Sequence, residues 1–213
     1  ENLAQLTIGR IREEAVEGHD KDIALEKANA SKLGSKFLGK VWVGVKDSFT
    51  KKFDIVNREK KAASEILEMD EPIEAVINCA GVMSLEPLNN ITEDEFNRVM
   101  STNLKAAMLL VSALADKIKR DGSDIVNVAS TVGLKGYVDQ AVYGASKWAM
   151  RGFSANLQTE LKDTPCRVIS FCVGGFNSDI AKKVTGSDIA DPENWMKPQD
   201  IALYMKQTLE LPK

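Results

Sequence analysis

Tyr143 and Lys147 stand four residues apart, with only Gly144, Ala145 and Ser146 between them. On a helix this spacing places the two side chains on one face, a turn apart. A free tyrosine has a pKa of about 10, so near neutrality it is a usable proton donor and a poor source of phenolate. An ammonium alongside favours the phenolate and is expected to lower the tyrosine toward the working range. The pair thus suits proton transfer to and from an oxygen. The three small residues are expected to leave room for a cofactor beside the helix. Taken alone, however, the pair also fits a solvated lysine next to a half-buried aromatic, so its surroundings decide.

Those surroundings alternate strand and helix. Residues 75–78 follow a break at Pro72 and form a short run rich in β-branched residues, which predicts a buried strand. Thr92 and Glu95 have the spacing of a capping box and open a long helix over 92–121, closed by Asp121 and Gly122. Residues 124–129 predict the next buried strand, 142–161 a helix, 167–173 a strand ended by Gly174 and Gly175, and 199–209 a helix behind Pro198. This order predicts an α/β fold with a doubly wound parallel sheet covered by helices on both faces. Ligands of such folds bind at the carboxyl ends of the strands. Asn78, Ser130 and Gly174 fall at or just past such ends, as does the loop leading to Tyr143. In residues 1–53 a helix ending near Gly18 and strands at 23–25 and 41–45 are suggested, without a fixed order.

Composition narrows the function classes. The 213 residues are 44% hydrophobic and 28% charged, which suits one globular domain with a sizeable core. A formal net charge of -3 gives no sign of a nucleic-acid or membrane-surface binder. No run approaches the ~20 apolar residues of a membrane helix. His19 is the only histidine, which disfavours a histidine-based metal site or a Ser-His-Asp triad. Three cysteines without a CxxC pair point to a reducing cytoplasm.

With these elements in place, the chain resembles the short-chain dehydrogenase/reductase family. Asn78, Cys79, Ala80 and Gly81 are similar to its N-N-A-G motif, with Cys79 in the second position. Asn103 matches its helix asparagine, Ser130 its serine at the family's spacing before the tyrosine, and Tyr143 with Lys147 its Tyr-x-x-x-Lys signature. Gly174 and Ser178 resemble its P-G-x-x-x-T motif, and Asp54 with Ile55 its adenine-side pair. The likeness is good over 54–213 and poor over 1–53, and it implies one Rossmann-like domain across 1–213. The family's first strand and glycine-rich T-G-x-x-x-G-x-G loop have no clear counterpart. Gly9 and Arg10 suit the tail of such a loop, but Leu3 and Thr7 stand where glycines belong. The expectation is a longer protein, with the first and last strands of the fold outside these residues.

The resemblance implies an oxidoreductase that moves a hydride between NAD or NADP and a small carbonyl or alcohol substrate. Asn103, Ser130, Tyr143 and Lys147 would be catalytic. Asp54, Ile55, Asn78, Ala80, Gly81, Tyr143, Lys147, Gly174 and Ser178 would hold the cofactor. Tyr143 would protonate the developing alkoxide, Ser130 would hydrogen-bond the same oxygen, and Asn103 would support a water relay to Lys147. For Asn78, a structural bond to a neighbouring strand is an equal alternative. Residues 176–197 would form a substrate lid. Two other functions fit parts of the pattern: a family-like regulatory or binding protein without cofactor, and a nucleotide-sugar epimerase or dehydratase. Met108, Leu109, Leu110 and Val111 are too many successive apolar residues for one core-facing stripe. With Trp148, Met150 and Phe153 on the second helix, they predict a homodimer or homotetramer through helices 92–120 and 142–161.

Overall fold

The computed structural model describes residues 55–176 and 195–213. Asp54, Ser178, Gly9, Arg10, the strands suggested at 23–25 and 41–45, and most of the expected lid lie outside them. Helix α1 (Ile55–Leu67) leads to β1 (Ala75–Asn78). Next come α2 (Glu93–Met100), a π turn (Ser101–Lys105), α3 (Ala106–Ala113) and α4 (Ala115–Asp121). Strand β2 (Asp124–Val128), the 20-residue α5 (Ala141–Glu160), β3 (Arg167–Phe171) and α6 (Pro198–Glu210) complete the order.

The strands form a parallel sheet in the order β1-β2-β3, with Asn78 level with Asn127 and Asn127 level with Ser170. Alternate residues point to opposite faces. On one face Val76, Ile125 and Val168 pack with Ile66 of α1, Leu110, Val111 and Leu114 around α3, Ile118 of α4, and Leu161. On the other, Ile77, Val126 and Val173 pack with Ile201, Ala202 and Met205 of α6. Helices on both faces of a parallel sheet are the α/β architecture expected from the alternating pattern.

The single helix read over 92–121 is broken twice. The π turn inserts a surplus residue, a feature frequent at functional sites. Leu114, fully buried, leaves helical geometry between α3 and α4. The far end is as expected, with Gly122 in the left-handed region at φ 66° and Pro165 packed close behind it. At the near end Thr92 Oγ1 accepts from the Glu95 N–H (3.2 Å), but the Glu95 side chain does not reach back. Its carboxylate takes a two-point bond from Arg98 (2.7 and 2.8 Å), and charge-assisted pairing of this kind outcompetes one backbone N–H. Arg98 also donates to the Met83 carbonyl (3.0 Å), which fastens the loop after β1 to α2.

Candidate active site

The sheet ladder continues past the end of β2, with the Ala129 N–H on the Phe171 carbonyl and the Thr131 N–H on that of Val173 (both 2.9 Å). Between them Ser130 is extended and buried, and its Oγ accepts from the Val132 N–H (3.3 Å) at the head of a 3-10 turn, Thr131–Gly133. That turn lies directly against α5. A Cβ on Gly133 would come within 2.9 Å of the Lys147 carbonyl oxygen, and one on Gly144 within 3.3 Å of Val132. Contact this close needs glycine. It brings the Ser130 hydroxyl near enough to the Tyr143 phenol to act on its titration.

Two of the small residues inside the Tyr143–Lys147 turn serve protein packing. Gly144 admits Val132, Ser146 is fully buried, and only Ala145 is exposed.

Lys147 is 5% exposed, and Nζ donates to the Val128 carbonyl at the end of β2 (3.0 Å). Burial lowers its pKa to about 8, with the neighbouring Cys79 and Cys172 opposing the shift. Tyr143 moves the other way: burial raises its phenol above the ordinary value, and the Ser130 hydroxyl opposes this more weakly. The expected depression of the tyrosine by the lysine is absent. The ammonium lies 5.7 Å from the centre of the tyrosine ring and is turned toward Val128. Cys79 presents surface to solvent, yet its thiol is packed closely enough that burial raises it, with Lys147 pulling it down by less.

Asn103 sits in the π turn, 0% exposed. Its Oδ1 accepts from the Val82 N–H (2.7 Å), and Nδ2 donates to the Val82 carbonyl (2.9 Å) and to Ser146 Oγ (3.0 Å). Ser146 Oγ in turn donates to the Tyr143 carbonyl (2.7 Å). Gly81 lies between the key groups: a methyl there would contact both Lys147 Nζ (3.5 Å) and Asn103 Oδ1 (3.6 Å). Asn78, at the end of β1, gives Nδ2 to Asn127 Oδ1 (2.7 Å), and Asn127 gives Nδ2 to Ser154 Oγ on α5 (2.9 Å).

The fold thus gathers Asn103, Ser130, Tyr143, Lys147 and Gly81, with Asn78 bonded to the neighbouring strand and Ala80 half-buried beside it. Gly174 follows β3 next to Thr131, 3.9 Å from Cβ position to methyl. Ile55 is the first residue of α1. The sequence reading missed Ser146, Asn127 and Ser154. It also missed Gln140 at the foot of α5, whose Oε1 is buried without a partner. An asparagine inside a β-branched run was the available signal for Asn127.

Comparison with known proteins gives this arrangement its family. A short chain dehydrogenase model matches residues 25–188. The chain belongs to the short-chain dehydrogenase family. An uncharacterized oxidoreductase of Listeria monocytogenes is 30% identical over 142 residues, 64% of this chain and 57% of that protein. The 3-oxoacyl-[acyl-carrier-protein] reductase of Rattus norvegicus is 29% identical over 165 residues, 76% of this chain and 65% of the rat enzyme. The chain thus spans less than two thirds of the length of these relatives. Among solved structures, an alcohol dehydrogenase from Thermococcus sibiricus complexed with 5-hydroxy-NADP superimposes with a TM-score of 0.65 at 22% identity, over 88% of this chain and 76% of that chain. That likeness is one of fold.

Proposed function

We propose that the protein is an NAD(P)-dependent oxidoreductase that interconverts a carbonyl compound and its alcohol, with residues 1–213 forming one domain of this family. The observation that carries the reading is that the fold brings Ser130, Tyr143 and Asn103 together around a buried lysine. A module that only bound partners would have no use for an ammonium held inside at the cost of its own solvation. The residues fit a nicotinamide nucleotide. Lys147 Nζ spends one N–H on Val128 and keeps two for ribose hydroxyls. Gly81 leaves open a space that a methyl would fill. The named relatives, a reductase and a dehydrogenase solved with an NADP derivative, support the same cofactor class.

A bound nicotinamide would supply or accept the hydride. The chain's own groups handle the oxygen. Ser130 orients the carbonyl by hydrogen bonding, and Tyr143, kept protonated by its raised pKa, gives its proton to the oxygen as negative charge develops. Lys147 holds the nucleotide, and Asn103 fixes the loop beside that ammonium. In the intact protein, Tyr143→Phe should lower NAD(P)H-dependent turnover of a ketone and aldehyde panel by about 10²–10⁴ while leaving cofactor affinity within a fewfold. Turnover within tenfold of wild type would remove Tyr143 from this role. Lys147→Ala should weaken both turnover and cofactor binding.

Self-association through α2–α4 and α5 is part of the proposal. Phe96, Met108, Leu109 and Trp148 are 39–51% exposed, whereas Met150 and Phe153 pack within their own chain. Sedimentation of the intact protein at micromolar concentration should give a dimer or tetramer, and a monomer would overturn this part. Three free cysteines support a reducing cytoplasm. No described helix is long and apolar enough to cross a membrane.

A further inference from the structure

We infer that Ser146 is a positioning residue that locks the helical turn bearing Tyr143 to the loop after β1, and so sets the distance across which the hydride moves. The inference rests on the oxidoreductase reading. Three segments distant in sequence meet at this hydroxyl. The loop contributes Val82, whose N–H and C=O are both taken by the Asn103 amide as a neighbouring strand would take them. The π turn contributes Asn103, whose second Nδ2 hydrogen goes to Ser146 Oγ (3.0 Å). Helix α5 contributes Ser146, whose own hydrogen goes to the Tyr143 carbonyl (2.7 Å). A continuous chain of bonds thus runs from the residue next to Gly81 to the backbone of the proton donor.

Helix geometry alone does not need this serine. Inside an α-helix the Tyr143 carbonyl already accepts from the N–H four residues on. Alanine would also be the better helix former. The hydroxyl matters because Asn103 and Ser146 are both 0% exposed, so no water can replace it as acceptor for Asn103 Nδ2. Without it the loop and the turn remain packed but are no longer bonded, and small displacements of reacting groups slow chemistry more than binding.

The test compares Ser146→Thr with Ser146→Val in the intact protein, two side chains of matching size of which only the first keeps the hydroxyl, with Ser146→Ala as the smaller control. The valine and alanine variants should lose about tenfold in kcat with cofactor KM within about twofold. The deuterium isotope effect with cofactor labelled at the transferred position should rise, because the hydride step becomes more limiting. Threonine should restore kcat and isotope effect together. Equal behaviour of threonine and valine, or unchanged kcat and isotope effect in alanine, overturns the assignment. A second readout does not use turnover: the Asn103 side-chain amide should exchange slowly in wild type and in the threonine variant, and quickly in the valine and alanine variants. Slow exchange in all four overturns the clamp. A wild-type protein that turns over no carbonyl with either cofactor, but shows the exchange pattern, would sink the oxidoreductase reading and leave the clamp standing.

Discussion

The two faces of the three strands solve different problems with alternate residues of the same short segments. Toward α6 the sheet presents Ile77, Val126, Ile169 and Val173 to Ile201, Ala202 and Met205, an entirely apolar contact. Toward α3 and α5 it begins just as apolar, with Val76, Ile125 and Val168, and then turns polar at the carboxyl ends with Asn78 and Asn127. The polar groups there are buried, so each must find a partner or cost stability. Asn78, Asn127 and Ser154 satisfy one another in sequence and end on the Met150 carbonyl (2.9 Å). The apolar face holds the sheet, and the polar one carries the groups that can do chemistry. Each polar residue there depends on the next.

Deleting from each face should separate the two roles. The largest effect is expected on the dry face: Met205→Ala should cost about 2–5 kcal/mol by leaving a cavity, with kcat of the folded protein unchanged. Denaturant titration and steady-state kinetics read the two quantities, and a kcat loss as large as that of Tyr143→Phe would erase the distinction. On the wet face Asn127→Leu removes the acceptor of Asn78 and the donor to Ser154, at a cost of about 1–3 kcal/mol. Unlike Met205→Ala, it should lower turnover as well. A variant of full activity would mean that the relay serves the fold alone.

The smallest effect is a pH dependence. Lys147 is lowered from 10.5 to about 8 by burial, so the unfolded chain binds more protons than the folded one between those values. Its contribution to stability should therefore rise with pH across that window and stay flat below it. Activity that needs the ammonium should fall as pH climbs through about 8. The stability difference between wild type and Lys147→Gln should follow the same window, and a pH-independent difference would show that burial does not lower the lysine in the fold.

Strand positions were legible because β-branched runs between turn residues have few other readings, as with Ala75–Asn78 and Asp124–Val128. So were Tyr143, Lys147 and Ser130, whose spacing survives any reasonable placement of the helix. Partnerships were less legible. Glu95 had a local partner by pattern and a stronger one, Arg98, a turn further on. The π turn was invisible because Asn103 continues the helical rhythm of its neighbours. The packing of Val132 on Gly144 was not legible, since sequence shows what a residue lacks and only the fold shows what fills the space. Ser146 was passed over for the same reason. The motifs carrying Asp54 and Ser178 fall outside the described residues.

The bare approach of Gly133 to the Lys147 carbonyl has a mechanical consequence. Between the turn that holds Ser130 and the helix that holds Tyr143 there is, at this point, no cushion of side chains. Interiors give way mainly through rotamer changes, and here there is no rotamer to change. The spacing between that turn and that helix is thus as stiff as the backbone itself. The adjoining loop is the opposite, with Leu134, Tyr137 and Val138 standing 43–84% exposed. That loop can change its side chains without disturbing the approach of turn and helix.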